Sequence, residues 1–169
     1  MGKVESVTGA ELARIGPGPD REHWISLLEL ADEPEPLRAY LQEGELFALR
    51  GADGTPRAAI LVIEDRPGVA ELRAVAVTEA KQGQGVGTAI VDAVLALLAE
   101  RGVRTAVVGT ASSGVRQLAF YQRCGFRLSR VERDYFTPER GYPPDITENG
   151  IPTRDMVWME RDLAGLPGG

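Results

Sequence analysis

The sequence predicts one α/β (α+β) domain, a mixed sheet with helices on both faces. Three observations carry that prediction. Short apolar segments alternate along the chain with helical patterns, and clusters of Gly, Pro and Asp separate them. One strand pattern, residues 69–77, leads into a loop with three glycines in five positions (Gly83, Gly85, Gly87), and that loop opens onto a long helical pattern, 88–101. The 169 residues, 43% of them apolar, suffice for a single core, and no internal repeat is present. The domain is expected over residues 1–163, with a disordered tail at 164–169.

Residues 4–7 alternate apolar and polar and read as a first strand. Gly16-Pro17-Gly18-Pro19 breaks the chain. Asp20 then suits the N-cap of a helix over 21–31, with Trp24, Leu27, Leu28 and Ala31 as its buried stripe. Pro34 and Pro36 precede a second helix at 37–42, closed by Gly44. Strands at 45–50 and 57–64 flank Gly51-Ala52-Asp53-Gly54, whose Asp-Gly pair favours a hairpin turn. Asp65-Arg66-Pro67-Gly68 turns the chain into the central strand 69–77. The helix after the glycine loop carries Ile90, Val94, Leu97 and Leu98 on one face and ends at Gly102. A strand at 103–109, a helix at 115–123 and a return strand at 125–135 follow. Residues 137–150 read as a long loop, and long loops in compact domains tend to be functional. The last strand is expected at 153–160.

Composition excludes several function classes. A net charge of −6 argues against nucleic acid or an anionic membrane as partner and fits a cationic or amine-bearing substrate better. Cys124 is the only cysteine and His23 the only histidine, so no intrachain disulfide and no Cys- or His-based metal cluster is expected. No apolar run approaches membrane-spanning length. Met1-Gly2-Lys3-Val4-Glu5-Ser6 fits the permissive myristoylation pattern, but residues 4–7 read better as a strand. A cytoplasmic enzyme is the expectation.

Glycines let a backbone approach an anion closely, and a helix start offers unpaired N–H groups and the positive end of its dipole. Residues 75–101 are thus built to hold phosphate. A dinucleotide fingerprint needs G-x-G-x-x-G, whereas the run from Gly83 is G-x-G-x-G followed by Thr88. A triphosphate loop needs a Gly-Lys-Ser/Thr, and none follows any glycine here.

Gln82-x-x-Gly85-x-Gly87 resembles the pyrophosphate loop of the GNAT superfamily of acyl-CoA N-acyltransferases. Downstream, Gln117-Leu118-Ala119-Phe120-Tyr121-Gln122-Arg123-Cys124-Gly125-Phe126 is similar to the A-x-x-x-Y-x-x-x-G-F block of the same superfamily, in the right order. The resemblance covers residues 45–136 well. The run from Thr110 through Asp155 also resembles a branch of acetyltransferases without an assigned substrate. What this implies is a mostly antiparallel sheet of about seven strands, with a splayed parallel pair holding coenzyme A.

The resemblance also implies roles. Gln82, Gly83, Gln84, Gly85, Val86, Gly87 and Thr88 are expected to wrap the pyrophosphate. Val75, Ala76 and Val77 offer a strand edge to the pantetheine arm, a form of strand addition. Tyr121 matches the general acid that protonates the departing thiolate; the alternative is a packed ring with an idle hydroxyl. Glu71 begins the cofactor strand at the offset of a general base, which an ammonium acceptor requires before it can attack; the alternative is a solvated carboxylate. Glu148, Asp134 and Asp155 are rival carboxylates. Arg123 suits the 3′-phosphate or plain solvent.

Some positions depart from the family pattern. Gln84 stands where Arg or Lys is common, with Lys81 nearby as a substitute cation. Gly114 replaces a frequent Asn, leaving Ser112 or Ser113 to supply that contact, and Gln117 replaces a small residue. Cys124 suits a buried structural role. The expectation is direct transfer of an acetyl group from acetyl-CoA to the primary amine of a small molecule or peptide, with no metal, nucleic acid or membrane. A longer acyl donor and a non-catalytic acyl-CoA sensor are the alternatives. Family members often dimerise; no residue shows whether this chain does.

Overall fold

A computed structural model describes residues 3–7 and 10–166. β1 (Lys3–Val7), β2 (Ala10–Ile15), β3 (Glu45–Arg50), β4 (Pro56–Arg66) and β5 (Val69–Val77) pair in succession, each antiparallel to the last. β6 (Thr105–Ala111) joins β5 in parallel, and β7 (Arg127–Glu132) and β10 (Met156–Asp162) complete the sheet in the order β6-β10-β7. β8 (Thr147–Glu148) and β9 (Ile151–Pro152) form a separate small ribbon.

The main sheet thus has eight strands, one more than the seven or so expected. The addition is β2, where Ala10 and Leu12 are buried and Glu11 is exposed. Six residues of weak alternation next to a Gly-Pro break gave no sequence signal for it.

The two larger apolar cores lie on the two faces, as a sheet with helices on both sides requires, and a third, smaller cluster gathers Tyr135, Tyr142, Met156 and Trp158. Leu46 and Ala48 of β3 point to one, Phe47 and Leu49 to the other, which is why this strand reads as an apolar run. The first core packs α3 (Val86–Glu100) and α4 (Val115–Arg123) against the sheet through Ile90, Val94, Leu95, Leu98 and Tyr121. Leu97 of the expected stripe is only half-buried, and Val91 and Leu95 are buried instead. The second core packs α1 (Ile25–Leu28) and α2 (Pro34–Tyr40) through Trp24, Leu28, Leu37 and Tyr40.

The helix expected over 21–31 is a 3-10 turn, Pro19–Trp24, followed by the four residues of α1. Its cap is Gly18, with no side-chain bond, rather than Asp20. Ala31 is exposed and lies beyond the helix. The physical reason is Arg21, whose side chain is fully buried. Its guanidinium donates to the carbonyls of Ile15, Gly16, Leu41, Glu43 and Gly44 at 2.6–3.1 Å. That anchor ties the end of β2 to the end of α2.

Two features of β5 position the site. Its ladder with β6 contains only Val69↔Thr105, Ala70↔Ala106 and Glu71↔Val107. From Leu72 onward the edge of β5 that faces β6 is unpaired, which is the expected splay. The register with β4 also slips: Leu61 faces Ala74 while Val62 faces Leu72. Arg73 is the extra residue of a bulge, so Leu72 enters the first core and Ala74 the second.

Of the expected tail, residues 164–166 are described. Ala164 donates its N–H to Asp162 Oδ1 at 2.8 Å, and Leu166 packs on the first core. Residues 167–169, like Met1 and Gly2 of the myristoylation pattern, lie outside the described residues.

Candidate active site

The unpaired edge of β5, the glycine loop, the start of α3, the end of β6 and α4 enclose a groove of about 1110 Å³. It is long, and its volume lies just above the usual range of small-molecule sites, roughly 300–1,000 Å³. Val75, Ala76 and Val77 line it, as do Gln82, Gly83, Gly85, Gly87 and Thr88. The loop is shaped by left-handed backbone at Gly83 (φ 72°) and Gly85 (φ 80°), the latter capping α3. Intrahelical bonding resumes with Ala89 N to Gly85 O at 3.0 Å, so the first-turn amides find no acceptor within the helix. Gly87 is a glycine for another reason. A Cβ there would stand 3.3 Å from Phe120 and from Val77.

These features fit a pyrophosphate and an extended arm. Amides and a helix dipole meet the charge, and a free strand edge meets the arm's amides. Gln82 holds the bend by donating from Nε2 to Val77 O at 3.1 Å. Gln84 and Val86 do not line the groove; Gln84 donates to Ala80 O at 2.8 Å, and Val86 is buried. Any part they take is through main chain. Arg116 and Arg123 line the α4 side and supply the two cations of that end. Sequence reasoning singled out Arg123 but missed Arg116, seven residues and about two turns earlier on the same helix. Lys81 is not among the lining residues.

Ser112 is half-buried and outside the lining, donating its N–H to Asp155 O at 2.8 Å. Ser113 is fully buried, with its hydroxyl 2.8 Å from that of Thr153. Gly114 has little room for an Asn, because a Cβ would stand 3.1 Å from Ala111 O. Gln117 fills the neighbouring space and donates to Glu148 Oε1 at 3.1 Å.

Tyr121 is buried in the wall of the groove, its ring edge-on to Phe120 and Phe126. Among the described residues its hydroxyl has no hydrogen-bond partner. Burial pushes its pKa well above the ordinary phenol value, so it keeps its proton at any working pH. Cys124, one helical turn later, is buried, and burial likewise raises its thiol pKa. His23 is exposed and not among the residues lining the groove.

Glu71 lies at the far end of the groove, beside Arg73, whose Nη1 donates to its Oε1 at 3.1 Å. Burial raises the Glu71 pKa, and this outweighs the opposing pull of Arg73. Of the rival carboxylates only Glu148 lines the groove. Asp155 instead accepts the Asp134 N–H at 2.9 Å, where Asp134 is left-handed (φ 53°). Both are turn-forming groups.

Sequence reasoning missed the roof of this end. Asp32, from the segment between α1 and α2, accepts the hydroxyls of Tyr40 at 2.8 Å and Tyr142 at 3.5 Å. Tyr142 belongs to the long loop flagged as functional, and it packs with Tyr135 and Phe136. No local pattern marks residues that meet across more than a hundred positions. Among the described residues no group of three or more His, Cys, Asp or Glu stands where a metal ion would be held. No helix there is long and apolar enough to cross a membrane.

Comparison with known proteins points to one family. The profile of the acetyltransferase (GNAT) family matches residues 15–126, more than half of the chain. An uncharacterized N-acetyltransferase of Bacillus subtilis, YvbK, is 36% identical over 138 residues, 81% of this chain and 87% of that protein. Among solved structures, a Bacillus subtilis acetyltransferase in complex with CoA superposes with a TM-score of 0.79 at 32% identity, over 90% of this chain and 98% of that one. A GNAT family acetyltransferase from Elizabethkingia anophelis with acetyl-CoA bound gives 0.76 at 27% identity, over 89% and 97%.

Proposed function

The chain belongs to the acetyltransferase (GNAT) family, and from that premise we propose how its own residues carry out acetyl transfer. It is an N-acetyltransferase with acetyl-CoA as its donor. Bound acetyl-CoA supplies an activated thioester. The glycine loop, residues 82–88, holds the pyrophosphate by main-chain N–H groups, with Arg123 and Arg116 as nearby cations. Val75, Ala76 and Val77 pair through main chain with the pantetheine arm, and strand N–H groups polarise the thioester carbonyl.

Glu71 takes the proton of the acceptor ammonium, which frees the nitrogen lone pair to form the C–N bond as the C–S bond breaks. Tyr121 gives its proton to the departing sulfur. Because its pKa is raised, it acts as a hydrogen-bond donor first and is reprotonated as the new amide nitrogen loses its second proton. The net release is one proton, through Glu71 to solvent. The proposal includes a cytoplasmic site of action and a small-molecule or peptide amine as acceptor.

The observation that carries these roles is the placement of Tyr121 and Glu71 along one groove with the unpaired edge of β5. Thiol release from acetyl-CoA tests them across a panel of phenethylamine, ethanolamine, spermidine, glycine and a lysine peptide. Turnover by wild type, with a loss of about 10²-fold or more in Tyr121→Phe, is the expected result. Tight CoA binding without turnover of any amine would overturn the catalytic roles.

A further inference from the structure

Glu71 and Arg73 stand where two cavities meet. Both line the donor groove, and both line a second pocket of about 490 Å³ walled by Tyr40, Ile63, Tyr135 and Tyr142. Arg73 is the residue that the bulge removes from the β4–β5 ladder, and bulges recur where a side chain must be re-aimed. It is held from two sides. Its guanidinium carbon lies 4.7 Å over the ring of Tyr40, and that ring is fixed in turn by the bond from its hydroxyl to Asp32. On the other side Nη1 meets Glu71 Oε1 at 3.1 Å, with both side chains mostly out of solvent. Among the described residues, Glu71 Oε2 accepts no hydrogen bond.

We propose that Arg73 is a positioning residue for acetyl transfer: it pins one oxygen of the Glu71 carboxylate between the two cavities and leaves the other to take the acceptor's proton. This rests on the reading of Glu71 as general base. The proton passes from the acceptor nitrogen to Oε2, and the lone pair it leaves behind makes the new bond. An ammonium ligand in this place would pin less well. Arg73 uses the flat face of its guanidinium on Tyr40 and an edge N–H on Glu71 at once, and a lysine has only a point charge to offer.

The charged and titratable groups around Glu71 come from several elements. Arg73 is on its own strand, Asp65 near the end of β4, and Glu43 after α2. Tyr40 comes from α2, and Tyr135, Arg140 and Tyr142 come from the segment after β7. Burial, Asp65 and Glu43 all favour the protonated carboxyl, and Arg73 opposes them. Removing Arg73 therefore moves the Glu71 titration to higher pH.

The test is a pH titration of the Glu71 side-chain carboxyl by NMR. It uses ¹³C-glutamate-labelled full-length protein with CoA bound, and the resonance is assigned by its loss in Glu71→Gln. The expected midpoint in Arg73→Met is about one pH unit or more above wild type, with most of the shift returned in Arg73→Lys. Should Arg73→Met not fold, Arg73→Gln carries the same reading. An unmoved midpoint overturns the proposal, and so does a shift that Lys does not reduce, because repacking rather than charge would then explain it. The general-base reading fails separately, if Glu71→Gln releases thiol at the wild-type rate with the best amine of the panel.

Discussion

At Gly85 the backbone is left-handed, and nothing lies within 4 Å of where a Cβ would stand. Substitution there meets no clash; the cost is conformational. Gly85→Ala is expected to lower stability by about 1–2 kcal/mol, and to weaken CoA binding as the loop relaxes away from its cradle. Denaturant melts and CoA titration calorimetry read the two effects separately. Tyr121 is the opposite kind of residue. With no partner for its hydroxyl, Tyr121→Phe should leave the melting transition near wild type while thiol release falls. A loss of stability matching the loss of activity would mean the hydroxyl serves the fold. The glycines and this tyrosine were legible in the sequence because their motifs are local, lying within a few residues of each other. Arg73 was not, since a bulge is a property of two paired strands and only one of them is visible in any sequence window.

Among the elements, the strands bounded by turns on both sides were the easiest to read. β3, β5 and α4 match their expected limits because glycines flank β3 on both sides, Pro67-Gly68 precedes β5, and a glycine precedes the helix. The segment 10–31 was the hardest. Its chain path is decided by Arg21, a residue whose type normally marks solvent. Five carbonyls from two stretches of chain, 15–16 and 41–44, converge on that one guanidinium. Arg21→Met, similar in length, leaves them without a donor, and a loss above about 3 kcal/mol is expected in urea unfolding. Trp24, Leu37 and Leu46 pack in the core just below, so the same variant should also loosen the α1–α2 roof over the site and raise the KM for the acceptor more than that for acetyl-CoA. Equal changes in both would contradict this assignment.

Across the whole molecule, the sequence pointed to most of the donor half of the site, but to the other half only through Glu71, Glu148 and the loop 137–150. In the proposed site the donor lies along one contiguous stretch, from β5 through the loop to α3, plus α4. The end proposed for the acceptor is assembled from Asp32, Tyr40, Tyr135 and Tyr142, which come together only through folding. Donor binding to the native state alone adds stability by mass action. Acetyl-CoA at a hundred times its Kd is expected to contribute about 2.7 kcal/mol, visible as a rise in the melting temperature that grows with ligand concentration.

The three-rung ladder between β5 and β6 divides the sheet into a five-stranded slab and a three-stranded one, stitched at a single end. The main-chain groups of residues 72–77 that face β6 are a sheet edge placed in the middle of a sheet. In hydrogen–deuterium exchange, the amides among them that point into the gap should exchange as quickly as those of an outer strand, while their neighbours on β4 stay protected. The donor would close that seam from within, slowing exchange on both slabs together. The protein's breathing would then be set by whether its substrate is present.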